Sequence, residues 1–120
     1  MRVIHPRGTI LRVRGVLDLR ETNAKTRPVV LVRDLGEDDE ELFAVAVTTT
    51  FDLPIAPPCV RLEYGPPGRC RTGLDEPAVA HGHWFVVRPV SAIVERLGFA
   101  GDSALEQAVA IIRQKVIEGR

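Results

Sequence analysis

Apolar positions along this chain recur mostly with the two-residue period of a strand, and only the last cluster follows a helical period. Residues 9–15 set Ile10, Leu11 and Val13 among basic side chains and stop at Gly15, which predicts a first strand. Residues 18–26 are polar and unpatterned and read as a loop. Residues 28–33 are a β-branched run suited to a strand buried on both faces. Leu35 and Gly36, followed by the acids of 37–41, predict a turn projecting into solvent. The next strand is expected over 42–50, after which Pro54, Pro57 and Pro58 force an irregular connection. Residues 59–64 alternate and run into a Gly65-Pro-Pro-Gly68 turn, with further strands expected at about 78–80 and 84–87. Residues 90–97 fit a short helix or a strand, and periodicity does not decide between them.

The end of the chain changes period. Ser103-Ala-Leu-Glu106 has the form of a capping box, in which the Ser and Glu side chains satisfy backbone groups at a helix start. Behind it Leu105, Ala108, Val109, Ile112 and Val116 fall on one helical face, and Gly119 is expected to end the helix. Several short strands at hairpin spacing, without alternating helices, predict a mainly β fold with a C-terminal helix, its sheet strongly curved and barrel-like. No repeat or internal boundary divides residues 1–120, so a single domain is expected.

Composition narrows the function classes. Hydrophobic residues make up 45% and charged residues 27%, which argues against disorder. No apolar stretch approaches the ~20 residues of a membrane span, no signal peptide is recognisable, and two cysteines make no disulfide scaffold. A cytoplasmic location without membrane contact is the expectation. Sixteen basic residues balance sixteen acidic ones, so charge alone gives no nucleic-acid signature. All the basic residues except Lys25 and Lys115 are arginines, whose planar fork suits phosphate.

Glycine-rich phosphate loops, a G-x-S-x-G elbow and an H-E-x-x-H helix are all missing from the sequence. Cys59, Cys70, His81 and His83 invite a zinc reading, but their spacing is not that of a knuckle, and no metal or cofactor is expected. What remains is a set of polar residues at strand ends: Arg27, the three threonines 48–50, and His81-Gly-His-Trp84. Arg27 precedes Pro28 and is therefore biased to extended geometry. A glycine between two strand histidines often marks close approach by another group.

Together these segments resemble the MazF/PemK toxin endoribonucleases. Arg7-Gly-Thr-Ile-Leu-Arg-Val13 is similar to that family's R-G-D-I-V-W-V strand, and Arg27-Pro-Val-Val-Leu-Val32 to its R-P-V-x-V-V strand. Ala46-Val-Thr-Thr49 stands where P-x-T-[ST] is usual, and residues 73–84 follow the outline of a G-L-x-x-[PD]-S-x-x-x-x-D-[QW] stretch. The likeness runs from about Arg7 to Ile112, and order and spacing carry it more than any single motif. It implies a small SH3-like barrel of the MazF, CcdB and PemK type. It also implies a homodimer, a single-stranded RNA substrate and a cognate antitoxin as partner.

By the same resemblance Arg27 and Thr48 flank the scissile phosphate. The neighbouring 2′-hydroxyl attacks phosphorus, giving a 2′,3′-cyclic phosphate and a 5′-hydroxyl without a metal. His83 stands where many members have Asp and is suited to general base or acid; His81 and Thr49 would contact RNA. Arg61, Arg69 and Arg71 around the 65–68 turn would form a basic arm, with Phe51 and Tyr64 stacking on bases. The chain departs from the family at Glu21-Thr-Asn-Ala24, at Ala46, and at Arg12 and Arg14. Those departures support an alternative expectation, a catalytically inactive module on the same fold that binds a protein partner such as gyrase or an antitoxin.

Overall fold

Aliphatic and β-branched residues occupy consecutive positions in the middle of the chain, so its strands are apolar on both faces, and the structure buries both. The computed structural model describes residues 2–118. Its strands are β1 (Val3–His5), β2 (Thr9–Leu17), β3 (Ala24–Leu31), β4 (Leu35–Gly36), β5 (Glu41–Thr48), β6 (Cys59–Arg61), β7 (Val79–Pro89) and β8 (Ile93–Phe99). A 3-10 turn (Val90–Ala92) separates β7 from β8, and the helix α1 (Asp102–Glu118) follows. Six strands form one antiparallel sheet in the order β6-β7-β5-β3-β2-β8, and β1 pairs with β4 beside it. The fold is mainly β with one C-terminal helix, as the sequence pattern predicts.

The two faces are covered in different ways. Ile10, Val30, Val45 and Val47 point to one side, where Ala108, Ile111 and Ile112 of α1 and Leu62 and Leu74 of the 62–78 connection pack on them. Leu11, Val13, Val29, Leu31, Leu42 and Ala44 point to the other, together with Trp84 and Val86. Among the described residues α1 does not pack on this second face; Val90 and Ala92 of the 3-10 turn join it, and the sheet curls over it. The Trp84 indole N–H in β7 donates to the Leu17 carbonyl of β2 at 2.8 Å, and Arg88 Nε donates to the Arg14 carbonyl at 3.1 Å. Yet β5 and β3 lie between β7 and β2 in the sheet. Among the described residues β6 and β8 do not pair with each other, so the hydrogen-bonded ladder stays open.

Irregular pairings produce the curl. In β2, three steps from Val13 to Val16 oppose two from Arg27 to Lys25, and Gly15 adopts a φ of +70° there. In β7, Phe85 pairs with Val45 but Ala80 pairs with Val47, so His81, Gly82 and His83 are inserted. An odd insertion reverses the side to which the strand's residues point. Hence Ala78 and Ala80 join the helix-side core, whereas Trp84 and Val86 join the opposite one. A Cβ on Gly82 would lie 2.5 Å from Ile111 Cγ2, so the helix seats directly on the insertion.

Several sequence expectations are corrected. Leu35 and Gly36 are a buried strand pairing with β1, not a solvated turn, and the turn comes after them, where Asp39 Oδ2 accepts from the Gly36 N–H at 2.6 Å. The 18–26 loop ends at residue 23, because Ala24 and Lys25 extend the ladder opposite Leu17 and Val16. The expected strands 78–80 and 84–87 are one strand, and 90–97 holds both the 3-10 turn and most of β8. The helix begins at Asp102, so Ser103 lies within its first turn and accepts from Gln107 Nε2 at 3.2 Å. Val116 is exposed rather than packed, and Ala104 and Ile111 join the packing face instead. The expected stop at Gly119 lies outside the described residues. Among the described residues no helix is long and apolar enough to cross a membrane.

Candidate functional site

Arg27 stands in β3 opposite Val13 and immediately before Pro28, in the extended geometry that proline imposes. Its side chain is half-buried, and its Cζ lies 4.9 Å from the centre of the Trp84 ring. Its Nε is buried with no acceptor among the described residues. The other arginines nearby are engaged: Arg12 pairs with Glu95 at 3.5 Å, Arg14 Nη2 donates to Ser91 O at 2.8 Å, and Arg88 bonds to Arg14 O. A buried N–H without an acceptor costs desolvation free energy, and Arg27 carries that cost at Nε, an atom closed to solvent.

The end of β5 supplies the next residues. Thr48 pairs with Val79, and its hydroxyl accepts from the Thr50 N–H at 3.1 Å, which bends the chain away from the sheet. Arg12, Arg27, Thr48 and Thr49 line one open cleft of about 460 Å³, and Asp75 and Glu76 line it from the 62–78 connection. That connection is fixed from beneath. The fully buried Thr72 donates to Glu63 O at 2.7 Å and accepts from the Leu74 N–H at 3.2 Å. Gly73, with φ +72°, lies where a Cβ would sit 2.0 Å from the Leu97 carbonyl oxygen.

The two histidines lie to one side of this cleft. The His83 N–H donates to His81 Nδ1 at 3.2 Å, which leaves the proton of neutral His81 on Nε2. Burial, and then the nearby His83, hold His81 below the ordinary histidine range, so it is uncharged near neutral pH. The His81 ring meets Trp84 edge-on at 6.4 Å. His83 is exposed and lines a different cleft, of about 290 Å³, with Asp18, Glu21 and Arg88. The structure thus gathers Arg27, Thr48 and Thr49 and leaves His83 outside their cleft.

The three arginines of the expected basic arm have different surroundings. Arg71 is committed to Glu63, with Nε and Nη2 donating to its two oxygens at 3.1 and 3.2 Å. Arg69 is exposed in the 65–68 turn. Arg61 lines a cleft of about 200 Å³ with Phe51 and Tyr64, and Ala78 is common to that cleft and the one at Arg27. The cysteines are free, burial and then Asp52 raise the Cys59 thiol, and Cys70 Sγ lies 3.2 Å from Thr72 Oγ1. Among the described residues no three His, Cys, Asp or Glu side chains converge as metal ligands would.

Sequence reasoning missed Arg12, Asp75, Glu76 and the role of Trp84. The adjacent acids stand inside the Gly73 to Pro77 motif and were the available signal; Arg12 was visible as a charge where the resembled family has an aromatic residue. Compared with known proteins, the chain matches no family model and no curated protein.

Proposed function

We propose that this chain is a metal-independent endoribonuclease of the MazF/PemK type that cuts single-stranded RNA. The observation that carries the reading is Arg27, with no side-chain hydrogen bond or ion pair among the described residues, lining an open cleft beside Thr48 and Thr49. In the reaction the substrate's 2′-oxygen forms a bond to phosphorus as the P–O5′ bond breaks. The 2′-hydroxyl proton passes to a base, and O5′ takes up a proton. Negative charge grows on the phosphoryl oxygens, where Arg27 donates, with Arg12 and the Thr49 hydroxyl at the same cleft. Asp75 and Glu76 are the carboxylates lining that cleft, and they take the proton-transfer role that the sequence suggested for His83. Phe51, Tyr64 and Arg61 offer a neighbouring surface for a flanking base. The curled sheet would then be the small SH3-like barrel of that family, working as a cytoplasmic homodimer restrained by an antitoxin.

One observation favours a second reading, a binding module without catalysis. Asp75 and Glu76 bring negative charge into the cleft, which opposes a phosphate backbone and suits a basic protein segment. A single assay separates the two. Purified protein is incubated with a long single-stranded RNA in EDTA, with Arg27→Ala alongside. Discrete fragments bearing 5′-hydroxyl ends, absent with the variant, are expected. A folded wild-type protein that leaves the RNA intact refutes the enzyme reading.

A further inference from the structure

We infer that Trp84 is a positioning residue for Arg27, its indole face holding the guanidinium in the cleft while its N–H groups stay free for a phosphate. The inference rests on the ribonuclease reading above. Arginines in this protein are held by a carboxylate, by backbone carbonyls, as Arg14 and Arg88 are, or by an aromatic ring. Arg71 is fixed by Glu63, which occupies two of its N–H groups and offsets its charge. Among the described residues Arg27 has no carboxylate or carbonyl partner, and its Cζ lies 4.9 Å from the Trp84 ring centre. A cation over an aromatic face is attracted by the ring's quadrupole. Such a contact needs no acceptor oxygen, so the platform holds the charge without a carboxylate or carbonyl bonding to its donors.

The platform is itself immobilised. Trp84 is 8% exposed, and its indole N–H is anchored on Leu17 O at 2.8 Å, while the His81 ring abuts its edge. It is also the first residue after the three-residue insertion in β7, which turns it to the concave side of the sheet. Arg33 makes a similar contact, 3.8 Å from the Phe43 ring centre, but Arg33 is exposed and does not line the cleft. Among the described residues only Arg27 combines an aromatic platform with a buried, acceptor-free Nε.

The test compares steady-state RNA cleavage by wild type, Trp84→Phe, Trp84→Leu, Arg27→Ala and Arg27→Ala/Trp84→Leu, each checked for folding by circular dichroism. Trp84→Leu is expected to lower kcat about tenfold, a loss of the size a disrupted cation–aromatic contact implies, with KM little changed. Trp84→Phe, which keeps an aromatic face, is expected to recover most of the rate. In the Arg27→Ala background, where no cleavage is expected, Trp84→Leu should cause no further loss of affinity for a 2′-deoxy oligonucleotide. Because Trp84 is the only tryptophan, its emission should change when a 2′-deoxy oligonucleotide binds wild type and not when it is added to Arg27→Ala. If folded Trp84→Leu cuts RNA as fast as wild type, or if Phe and Leu are equally impaired, the positioning role is refuted and the ribonuclease reading stands. If wild type does not cut RNA, both are refuted.

Discussion

Replacing Gly82 by alanine tests how the helix is seated on the sheet. A Cβ there would lie 2.5 Å from Ile111 Cγ2 and 2.9 Å from Ile111 Cβ, against roughly 3.5–4.0 Å for comfortable carbon contacts. A new rotamer can move Cγ2, but Cβ is fixed to the helix backbone, so α1 must shift. Overpacking of this kind costs about 1–3 kcal/mol. The lost flexibility of the unfolded chain offsets about 0.4–1 kcal/mol of that, leaving a net loss of about 0–2.6 kcal/mol, centred on about 1.3 kcal/mol. For a chain of this size a loss near that centre lowers Tm by about 4–10 °C. Urea unfolding of wild type, Gly82→Ala, Ile111→Gly and the double variant gives the coupling directly. Ile111→Gly removes both clashing atoms, and its own cost to the helix cancels in the cycle. In that background Gly82→Ala should be neutral or slightly stabilising. An equal penalty in both backgrounds would show that the contact with Ile111 is not why residue 82 is glycine.

Gly73→Ala, placed at φ +72° against the Leu97 carbonyl, should cost about 3 kcal/mol in thermal or urea melts. Gly68→Ala, at φ +78° with nothing within 4 Å, should cost only the backbone strain, about 1 kcal/mol. His5 and His81 both titrate below the ordinary range, chiefly through burial, so the unfolded chain takes up their protons first. Stability should therefore be level above about pH 6.5 and fall as pH drops from there towards their folded pKa values. The His5→Gln/His81→Gln double variant should lose less between pH 7.5 and 5 in urea midpoints. Asp75→Asn and Glu76→Gln should each lower KM for RNA by removing a negative charge. The one that acts as base should lose about 10²–10⁴ in kcat, and unchanged kcat in both would remove the carboxylates from the mechanism.

What the sequence made legible is what local patterning controls. The run at 28–33 reads as a doubly buried strand because Val29, Val30 and Leu31 are apolar in succession, and they are buried on opposite faces. Arg27, Thr48 and Thr49 were readable as strand-end residues, and one cleft brings them together. Features that depend on distant partners were not legible. Leu35 and Gly36 become a strand only because β1 lies beside them. The continuity of β7 is hidden by the insertion, which breaks the alternation a pattern search needs. Arg71 looked free until folding set Glu63 against it, and His83 looked adjacent to Arg27 until the insertion turned it to another cleft. Trp84 was readable only as the end of the His81-Gly-His-Trp84 segment, because its contact with Arg27 reaches from β7 past β5 to β3.

The hydrogen bond that closes this curl also sets a timetable for synthesis. Leu17 and Trp84 are separated by 67 positions, and at ribosomal speeds that distance takes roughly 3–13 s to translate. During that interval the β2–β3 hairpin can form locally, but Ile10 and Val30 on one face and Leu11 and Val29 on the other have nothing to cover them. The nascent hairpin is thus a sticky intermediate that depends on late-arriving strands. Arg27 is made early and stays without its platform until β7 emerges, so the cleft is latent for most of the chain's own translation.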